Sequence, residues 1–214
     1  MRNIDEDTIT DAVVDSMANC PDDRLRTVMI SLVRHLHAFA RETALTEEEW
    51  LKGIQFLTAA GHITDERRQE FILLSDTLGL SMLVTAQNNV SPPGCTEATV
   101  FGPFYVHGAP EYDHGDDIAN GAHGSPCFVR GYVRALDGTP VPDAAIDVWQ
   151  SDEEGRYDVQ VEDLGVHRAR GRLRSGPDGR FHFRSILAEA YPIPHDGPVG
   201  KMLEALGRHP WRPA

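Results

Sequence analysis

The spacing of apolar residues changes once along this chain, near residue 91, and this change limits the folds that the chain can adopt. Before it, apolar side chains recur at intervals of three and four, most clearly over residues 22–39, which predicts amphipathic helices. After it, Pro92, Gly94 and their neighbours exclude a long helix, and short runs then alternate apolar with polar residues. The sequence therefore predicts an α+β protein, with a helical domain at 1–90 followed by an antiparallel β-sandwich at 91–214.

Several helix ends are marked by their residue types. Thr46 followed by Glu49 forms a capping box and predicts a helix start, and Gly61 predicts its end near residue 60. The threonine and aspartate at 64–65 are candidate caps for the next helix, with a break near Gly79. An additional helix is predicted over residues 4–18.

Two Gly-containing turns divide the predicted strands. Asp137-Gly138 joins two alternating runs within residues 127–150, and Pro177-Asp178-Gly179 does the same within residues 167–187. Residues 145–150 alternate most regularly and contain β-branched side chains and a tryptophan, which predicts a strand. A polar turn then leads to Tyr157.

Composition excludes several classes of function. The formal net charge is -13, which argues against binding to nucleic acid or to an anionic membrane surface. The chain has neither a run of about 18 apolar residues nor an apolar segment at its start typical of a signal peptide, and its three separated cysteines indicate a reducing compartment. We therefore expect a cytoplasmic protein that does not insert into membranes. Motifs of nucleotide-binding proteins, of serine hydrolases with a nucleophile elbow and of zinc proteases are missing from the sequence.

Two tyrosines lie on backbone shaped by Pro and Gly: Tyr157 after its turn, and Tyr191 34 residues later in the segment AYPIPHDGPVG. They could be packing residues, and residue types alone favour that interpretation. They could also be phenolate ligands of a hard metal ion. A free phenol has a pKa near 10, but the charge of a trivalent cation stabilises its ionised form.

Five segments together resemble the intradiol ring-cleavage dioxygenases, non-haem Fe(III) enzymes that open aromatic rings. They are residues 72–81, 96–106, 131–158, 190–200 and 208–214. With the helical first part, the resemblance covers essentially the whole chain, and within the family it is greatest to hydroxyquinol 1,2-dioxygenases. No single segment is specific, because the LDGTPVPDA pattern also occurs in other β-sandwiches.

The resemblance implies a helical linker and dimerisation domain, hence a homodimer, followed by a β-sandwich of mixed topology that holds iron. The implied metal ligands are Tyr157, Tyr191 and two histidines in a His-x-His pair that follows an Arg-Pro-Ala segment. The printed sequence reaches Arg-Pro-Ala at 212–214 and contains no such pair in that frame. We therefore expect a chain that is truncated before those ligands and whose sandwich is incomplete. Whether the 214-residue chain is itself active stays open.

The resemblance also implies a cavity for a flat aromatic diol. Its lining residues are Leu73, Asp76, Val100, Phe101, Gly102, Pro103, Phe104, Ile193, Pro194 and Arg212. Asp76 is expected to accept a hydrogen bond from a third ring hydroxyl, or else to cap the helix break before Gly79. Arg212 is expected to be catalytic by stabilising anionic charge, or else to be a surface cation. Tyr191 is the second implied catalytic residue, as the ligand that leaves the metal and accepts a proton.

The implied reaction uses O2 to cleave hydroxyquinol between its vicinal hydroxyls, giving 3-hydroxy-cis,cis-muconate, a tautomer of maleylacetate. A catechol or chlorocatechol 1,2-dioxygenase is the first alternative. The second is a module without enzymatic activity, similar to carboxypeptidase-regulatory-like and transthyretin-like domains, because residues 131–149 are also similar to those.

Overall fold

The computed structural model describes residues 4–66, 68–161 and 164–212. The chain divides into two compact units, at residues 1–59 and 60–214. Helices occupy the described chain up to Asn88, and the first strand begins at Pro126. The order of a helical part followed by antiparallel strands confirms the predicted α+β class, while the division into domains after residue 90 stays a prediction.

The first unit contains α1 (Ile9–Asp15), α2 (Asp23–Glu42) and most of α3 (Glu47–His62). The carboxylate of Asp22 caps α2 by accepting the Leu25 N–H at 2.9 Å. The predicted capping box before α3 is present. The Thr46 N–H donates to the Glu49 carboxylate at 2.9 Å, and the Glu49 N–H donates to the Thr46 hydroxyl at 3.3 Å. Helix α1 is shorter than the pattern over residues 4–18 predicted.

The helix boundaries predicted near residues 61–65 are wrong. Helix α3 continues past Gly61 to His62, and α4 spans Glu70–Thr77. The expected caps act in the turn between the two helices: the Thr64 hydroxyl donates to the Ala60 carbonyl at 2.8 Å, and the Asp65 carboxylate accepts the Arg68 N–H at 2.7 Å. Local hydrogen bonds thus hold these side chains in an irregular turn.

The predicted break at Gly79 is confirmed. This residue has φ +79° and separates α4 from α5 (Leu80–Asn88). Glycine adopts a left-handed conformation without the steric cost that other residues bear. In the described part of the chain, no helix is both long enough and apolar enough to cross a membrane.

In the described parts of the chain, six strands form three antiparallel pairs. Strand β1 (Pro126–Tyr132) pairs with β4 (Arg180–Ile186), β2 (Ala145–Trp149) with β3 (Arg170–Arg174), and β5 (Tyr191–Pro192) with β6 (Trp211–Arg212). A 3₁₀ turn at Asp158–Gln160 follows Tyr157, and α6 (Pro198–Ala205) lies between β5 and β6 in the chain.

The core lies between the β1–β4 and β2–β3 pairs. Its buried members are Ile118, Leu173 and Phe183, with side chains such as Val129 and Val148 packed against them. The segment that carries Ile118 also forms parallel bridges to β3 and β4, at Glu111 with Arg172 and at Asp117 with Arg184. The sandwich is therefore antiparallel in its named strands and mixed where this segment joins them.

Each predicted turn carries the chain from one strand pair to the other. The turn at Asp137-Gly138 connects β1 to β2, and the turn at Pro177-Asp178-Gly179 connects β3 to β4. Both glycines have positive φ, +85° and +76°. Turn residues set the local reversal, but the hydrogen-bond partner of each strand comes from a distant part of the sequence.

Candidate functional site

Tyr157 is held at the end of a tight polar turn that follows β2. The Asp152 carboxylate accepts the Glu154 and Arg156 N–H groups, both at 2.9 Å. This pattern is an aspartate turn, in which a short carboxylate replaces missing backbone partners. The turn delivers Tyr157 inward, and this residue is only 7% exposed.

Tyr191 lies in β5, directly opposite Arg212 of β6. The Ile193 N–H donates to the Pro210 carbonyl at 3.1 Å and extends this short pairing. The Arg212 guanidinium donates to the carbonyls of His209 and Trp211, at 2.7 and 3.0 Å. Cross-strand pairing thus places a cation beside the second tyrosine.

The segments that carry the two tyrosines touch at Gly155. This residue has φ +73°, and a Cβ added to it would lie 2.5 Å from the Ala190 carbonyl oxygen and 3.3 Å from the Tyr191 Cα. The fully buried Ser151 adds a second connection, because its hydroxyl donates to the Glu189 carbonyl at 2.6 Å. A side chain at position 155 would therefore force the two segments apart.

The structure brings the two tyrosine rings together with Phe104. The ring centroids of Tyr157 and Tyr191 are 5.4 Å apart, with the rings nearly perpendicular at 85°. Phe104 stacks on Tyr157 at 4.3 Å and meets Tyr191 edge-on at 5.7 Å. Residues that are far apart in the sequence thus form one aromatic cluster, with two phenols on it.

Both phenols are shifted towards the neutral form. Burial raises the pKa of Tyr157 above its usual value and Tyr191 raises it further, while Arg170 acts in the opposite direction. Burial also raises the pKa of Tyr191, which Arg212 lowers and Asp76 raises. A cation placed between the two oxygens would reverse these shifts.

A buried ion pair supports this cluster. Arg170 and Asp158 have side chains only 1% and 3% exposed, and the Arg170 Nη2 donates to Asp158 at 2.7 Å and to the Phe104 carbonyl at 2.8 Å. His167 also contacts the Asp158 carboxylate, with its Nδ1 at 3.1 Å. Sequence reasoning missed these residues; the position of Asp158 directly after Tyr157 was the available signal.

Two of the predicted cavity residues interact electrostatically with Tyr191. These are Asp76 and Arg212. The backbone carbonyl of Asp76, and not its carboxylate, accepts the Gly79 N–H at 3.0 Å. Within the part of the chain that the structure describes, Arg212 forms no ion pair.

The remaining predicted cavity residues have varied positions. Ile193 is buried and Leu73 is half-buried on α4. Val100, Gly102, Pro103 and Pro194 are exposed. Phe101 is 68% exposed and stacks on Tyr105 at 4.6 Å. The contribution of these residues to a substrate cavity stays a prediction.

The groups of the tyrosine cluster that can bind a metal ion are the two phenols, of Tyr157 and Tyr191. Across residues 4–66, 68–161 and 164–212, no group of three or more His, Cys, Asp or Glu side chains is arranged to hold a metal ion. His107, His114 and His123, which lie in the loop before β1, form no such group. Two phenol oxygens are hard donors that suit a ferric ion, so the residues present fit that cofactor.

Comparison with known proteins gives matches along nearly the whole chain. Residues 22–96 match the family model described as the catechol dioxygenase N terminus, and residues 100–214 match the model described as dioxygenase. The 6-chlorohydroxyquinol 1,2-dioxygenase of Cupriavidus pinatubonensis is 60% identical over 214 residues, which cover 100% of this chain and 78% of that protein.

Two further proteins extend these matches. The hydroxyquinol 1,2-dioxygenase of Nocardioides simplex is 56% identical over 97% of this chain and 70% of its own length. The crystal structure of hydroxyquinol 1,2-dioxygenase from Pseudomonas putida DLL-E4 superposes with a TM-score of 0.94 and 50% identity, covering 98% of this chain and 73% of that one.

Proposed function

Since the chain belongs to the intradiol ring-cleavage dioxygenases, we propose that its substrate is hydroxyquinol (1,2,4-trihydroxybenzene). The reaction uses O2 to open the ring between the vicinal hydroxyls and gives 3-hydroxy-cis,cis-muconate, the tautomer of maleylacetate. The observation that carries the proposal is the cluster of Tyr157, Tyr191 and Phe104 beside Arg212.

Enzymes of this family use iron, and we assign Tyr157 and Tyr191 as ligands of a ferric ion. Their rings are in contact and come from two segments that Gly155 and Ser151 hold together. A bound ferric ion would keep both phenols ionised and would draw electron density from a chelated diol, so that the ring reacts with O2. Without a cation, burial keeps the pKa of each phenol above its usual value.

The side chains around the tyrosines have separate tasks. Phe104 gives the diol an apolar wall, as flat ligands require. The phenol oxygen of Tyr191 accepts a proton as the diol binds. Arg212, opposite Tyr191 in the β5–β6 pair, stabilises the negative charge that develops on the opening ring.

The tyrosine assignment is tested by visible absorption of the protein expressed from its full reading frame and loaded with Fe(III). We expect a charge-transfer band from tyrosinate to iron. Tyr157→Phe and Tyr191→Phe should each weaken or shift it, whereas the control Tyr132→Phe, at an exposed strand position, should leave it unchanged. A colourless iron-loaded protein would refute the assignment.

Asp76 decides between hydroxyquinol and catechol. Its carboxylate is close enough to Tyr191 to raise the pKa of that phenol, and it can accept a hydrogen bond from the third hydroxyl of hydroxyquinol. A hydrogen bond to a charged group contributes about 1.5–3 kcal/mol, so Asp76→Ala should lower the ratio of kcat/KM for hydroxyquinol over catechol by about 10- to 100-fold.

An unchanged ratio would remove this role from Asp76. A wild-type preference for catechol or chlorocatechol would favour the first alternative. The matches to both dioxygenase family models favour an enzyme over a β-module without activity, and the names of the relatives favour hydroxyquinol.

We also propose that the enzyme is a homodimer assembled through its N-terminal helices. Helix α2 exposes an apolar face, formed by Leu25, Leu32, Leu36 and Phe39. Sedimentation equilibrium should show a dimer that Leu32→Glu dissociates, while Arg34→Glu, on another face of α2, should not. A monomeric wild-type protein would contradict this assembly.

A further inference from the structure

We propose that Arg170 is a positioning residue for the tyrosine site. Its guanidinium fixes Tyr157 from two directions: through Asp158, the next residue in the chain, and through Phe104, whose ring stacks on that of Tyr157. The inference rests on the proposed ferric site. Among the described residues, Arg170 is the largest fully buried side chain, and its role goes beyond that of a ligand or a substrate contact.

The first direction is along the chain. The Arg170 Nε lies 3.1 and 3.0 Å from the two Asp158 carboxylate oxygens, and its Nη2 lies 2.7 Å from Oδ1. A planar guanidinium bound in this way fixes the orientation of the carboxylate and of the backbone that bears it. Because Asp158 directly follows Tyr157, the pair restrains the backbone at the base of the phenol.

The second direction is across the ring. The same Nη2 donates to the Phe104 carbonyl at 2.8 Å, and the Phe104 ring stacks on Tyr157 with its centroid 4.3 Å away. One nitrogen therefore bonds both to the segment that carries the phenol and to the segment that covers it. If this link is lost, the two segments can move independently.

A purely structural ion pair would lack this double contact, and β3 offers such a pair for comparison. Arg172 also binds a carboxylate through its Nε and Nη2, that of Asp147, with Nε 2.6 Å from Oδ1 and Nη2 2.8 Å from Oδ2. The side-chain hydrogen bonds described for Arg172 go to Asp147, in β2, which carries neither tyrosine. Arg170 and Arg172 thus share residue type, strand and a carboxylate partner. They differ in what the pair holds and in burial, since the side chains of Arg170 and Asp158 are 1% and 3% exposed and those of Arg172 and Asp147 are 26% and 23% exposed.

The test compares Arg170→Lys with Arg172→Lys. Lysine keeps the charge but lacks the planar fork, so it cannot bind both carboxylate oxygens and a carbonyl in one plane. For Arg170→Lys we expect ferric affinity, measured by competition with a chelator, to fall at least tenfold and the visible band to shift. The near-UV circular dichroism of the metal-free protein should change as well, because Phe104 and Tyr157 lose their fixed stacking. Arg172→Lys should leave all three readouts as in the wild type.

The same experiment separates the two proposals. A wild-type protein with no tyrosinate band refutes the ferric site. A wild type that has the band, together with an Arg170→Lys variant that behaves as Arg172→Lys does, refutes the positioning role. If Arg170→Lys does not unfold cooperatively, Asp158→Asn replaces it, since the amide keeps the shape of the side chain and loses its charge. We then expect ferric affinity to fall several-fold, and wild-type affinity in Asp158→Asn would overturn the inference.

Discussion

Gly155→Ala tests whether the contact between the two tyrosine segments forms the site. The substitution has two separable effects. Alanine at φ +73° pays the cost of a left-handed backbone, about 1–2 kcal/mol. Its Cβ would also lie 2.5 Å from the Ala190 carbonyl oxygen, whereas ordinary contacts of this kind begin at 3.4 Å, so one segment must move by roughly 1 Å.

The second effect should dominate function. Displacement of a reacting group by about 1 Å can cost about 100-fold in rate, and both tyrosines lie within two residues of the contact. We expect Gly155→Ala to lower ferric affinity and kcat/KM by about that factor. Its Tm should fall by more than the roughly 2–8 °C that backbone strain alone would cause in a protein of this size.

Gly138→Ala is the matched control, because φ is +85° there and no described atom lies within 4 Å of the added Cβ. It bears the backbone cost alone, so it should lower the Tm and leave ferric affinity unchanged. Thermal unfolding followed by circular dichroism, together with chelator competition, measures both quantities. Equal losses of Tm in the two variants, with ferric affinity retained in Gly155→Ala, would refute the reasoning.

Two further predictions concern carboxylates that bind arginines. Glu70 is 1% exposed, pairs with Arg68 and accepts the Val199 N–H at 3.0 Å, so Glu70→Ala should lower the free energy of unfolding in urea by about 3–5 kcal/mol. Asp196 pairs with the same Arg68 through a mostly exposed side chain, so the control Asp196→Asn should cost less than about 1 kcal/mol. Equal costs would contradict the buried role of Glu70. A hydrogen bond from Arg172 lowers the pKa of Asp147 below its usual value, despite burial. The ionised carboxylate therefore stabilises the fold above about pH 4, and this contribution is lost as the pH falls through the lowered pKa. Asp147→Asn should therefore cost about 1 kcal/mol at pH 7, with a difference from the wild type that shrinks below about pH 4, and a difference that does not depend on pH would contradict this.

Local features were predictable where neighbouring residues alone determine them. The capping box at Thr46 and Glu49 and the break at Gly79 needed only sequence spacing, and both are present. The helix start assigned to residues 64–65 was wrong because a threonine or an aspartate can serve an irregular turn as well as a cap. Sequence spacing cannot decide between these two uses.

Features that depend on distant residues were less accessible. The turn at Asp137-Gly138 was predictable, but the pairing of β1 with β4 depends on how the two sheets pack. Tyr157 and Tyr191 were singled out, and the resemblance to a family gave them a role, yet their contact required the folded chain. Arg170 went unnoticed because an arginine in an alternating run has the sequence pattern of a solvent-facing residue, and only the structure shows it buried.

Among the described residues, the β5–β6 pair has two residues in each strand, against seven in the β1–β4 pair. Short ladders open more readily than long ones, so native-state amide exchange should be faster for the Ile193 N–H, which bonds to Pro210, than for the amides in the middle of β1. We therefore expect the half of the site that carries Tyr191 and Arg212 to open more readily than the β1–β4 pair. Such local opening would give a flat molecule a way in and its ring-opened product a way out, while the half that carries Tyr157 stays in place.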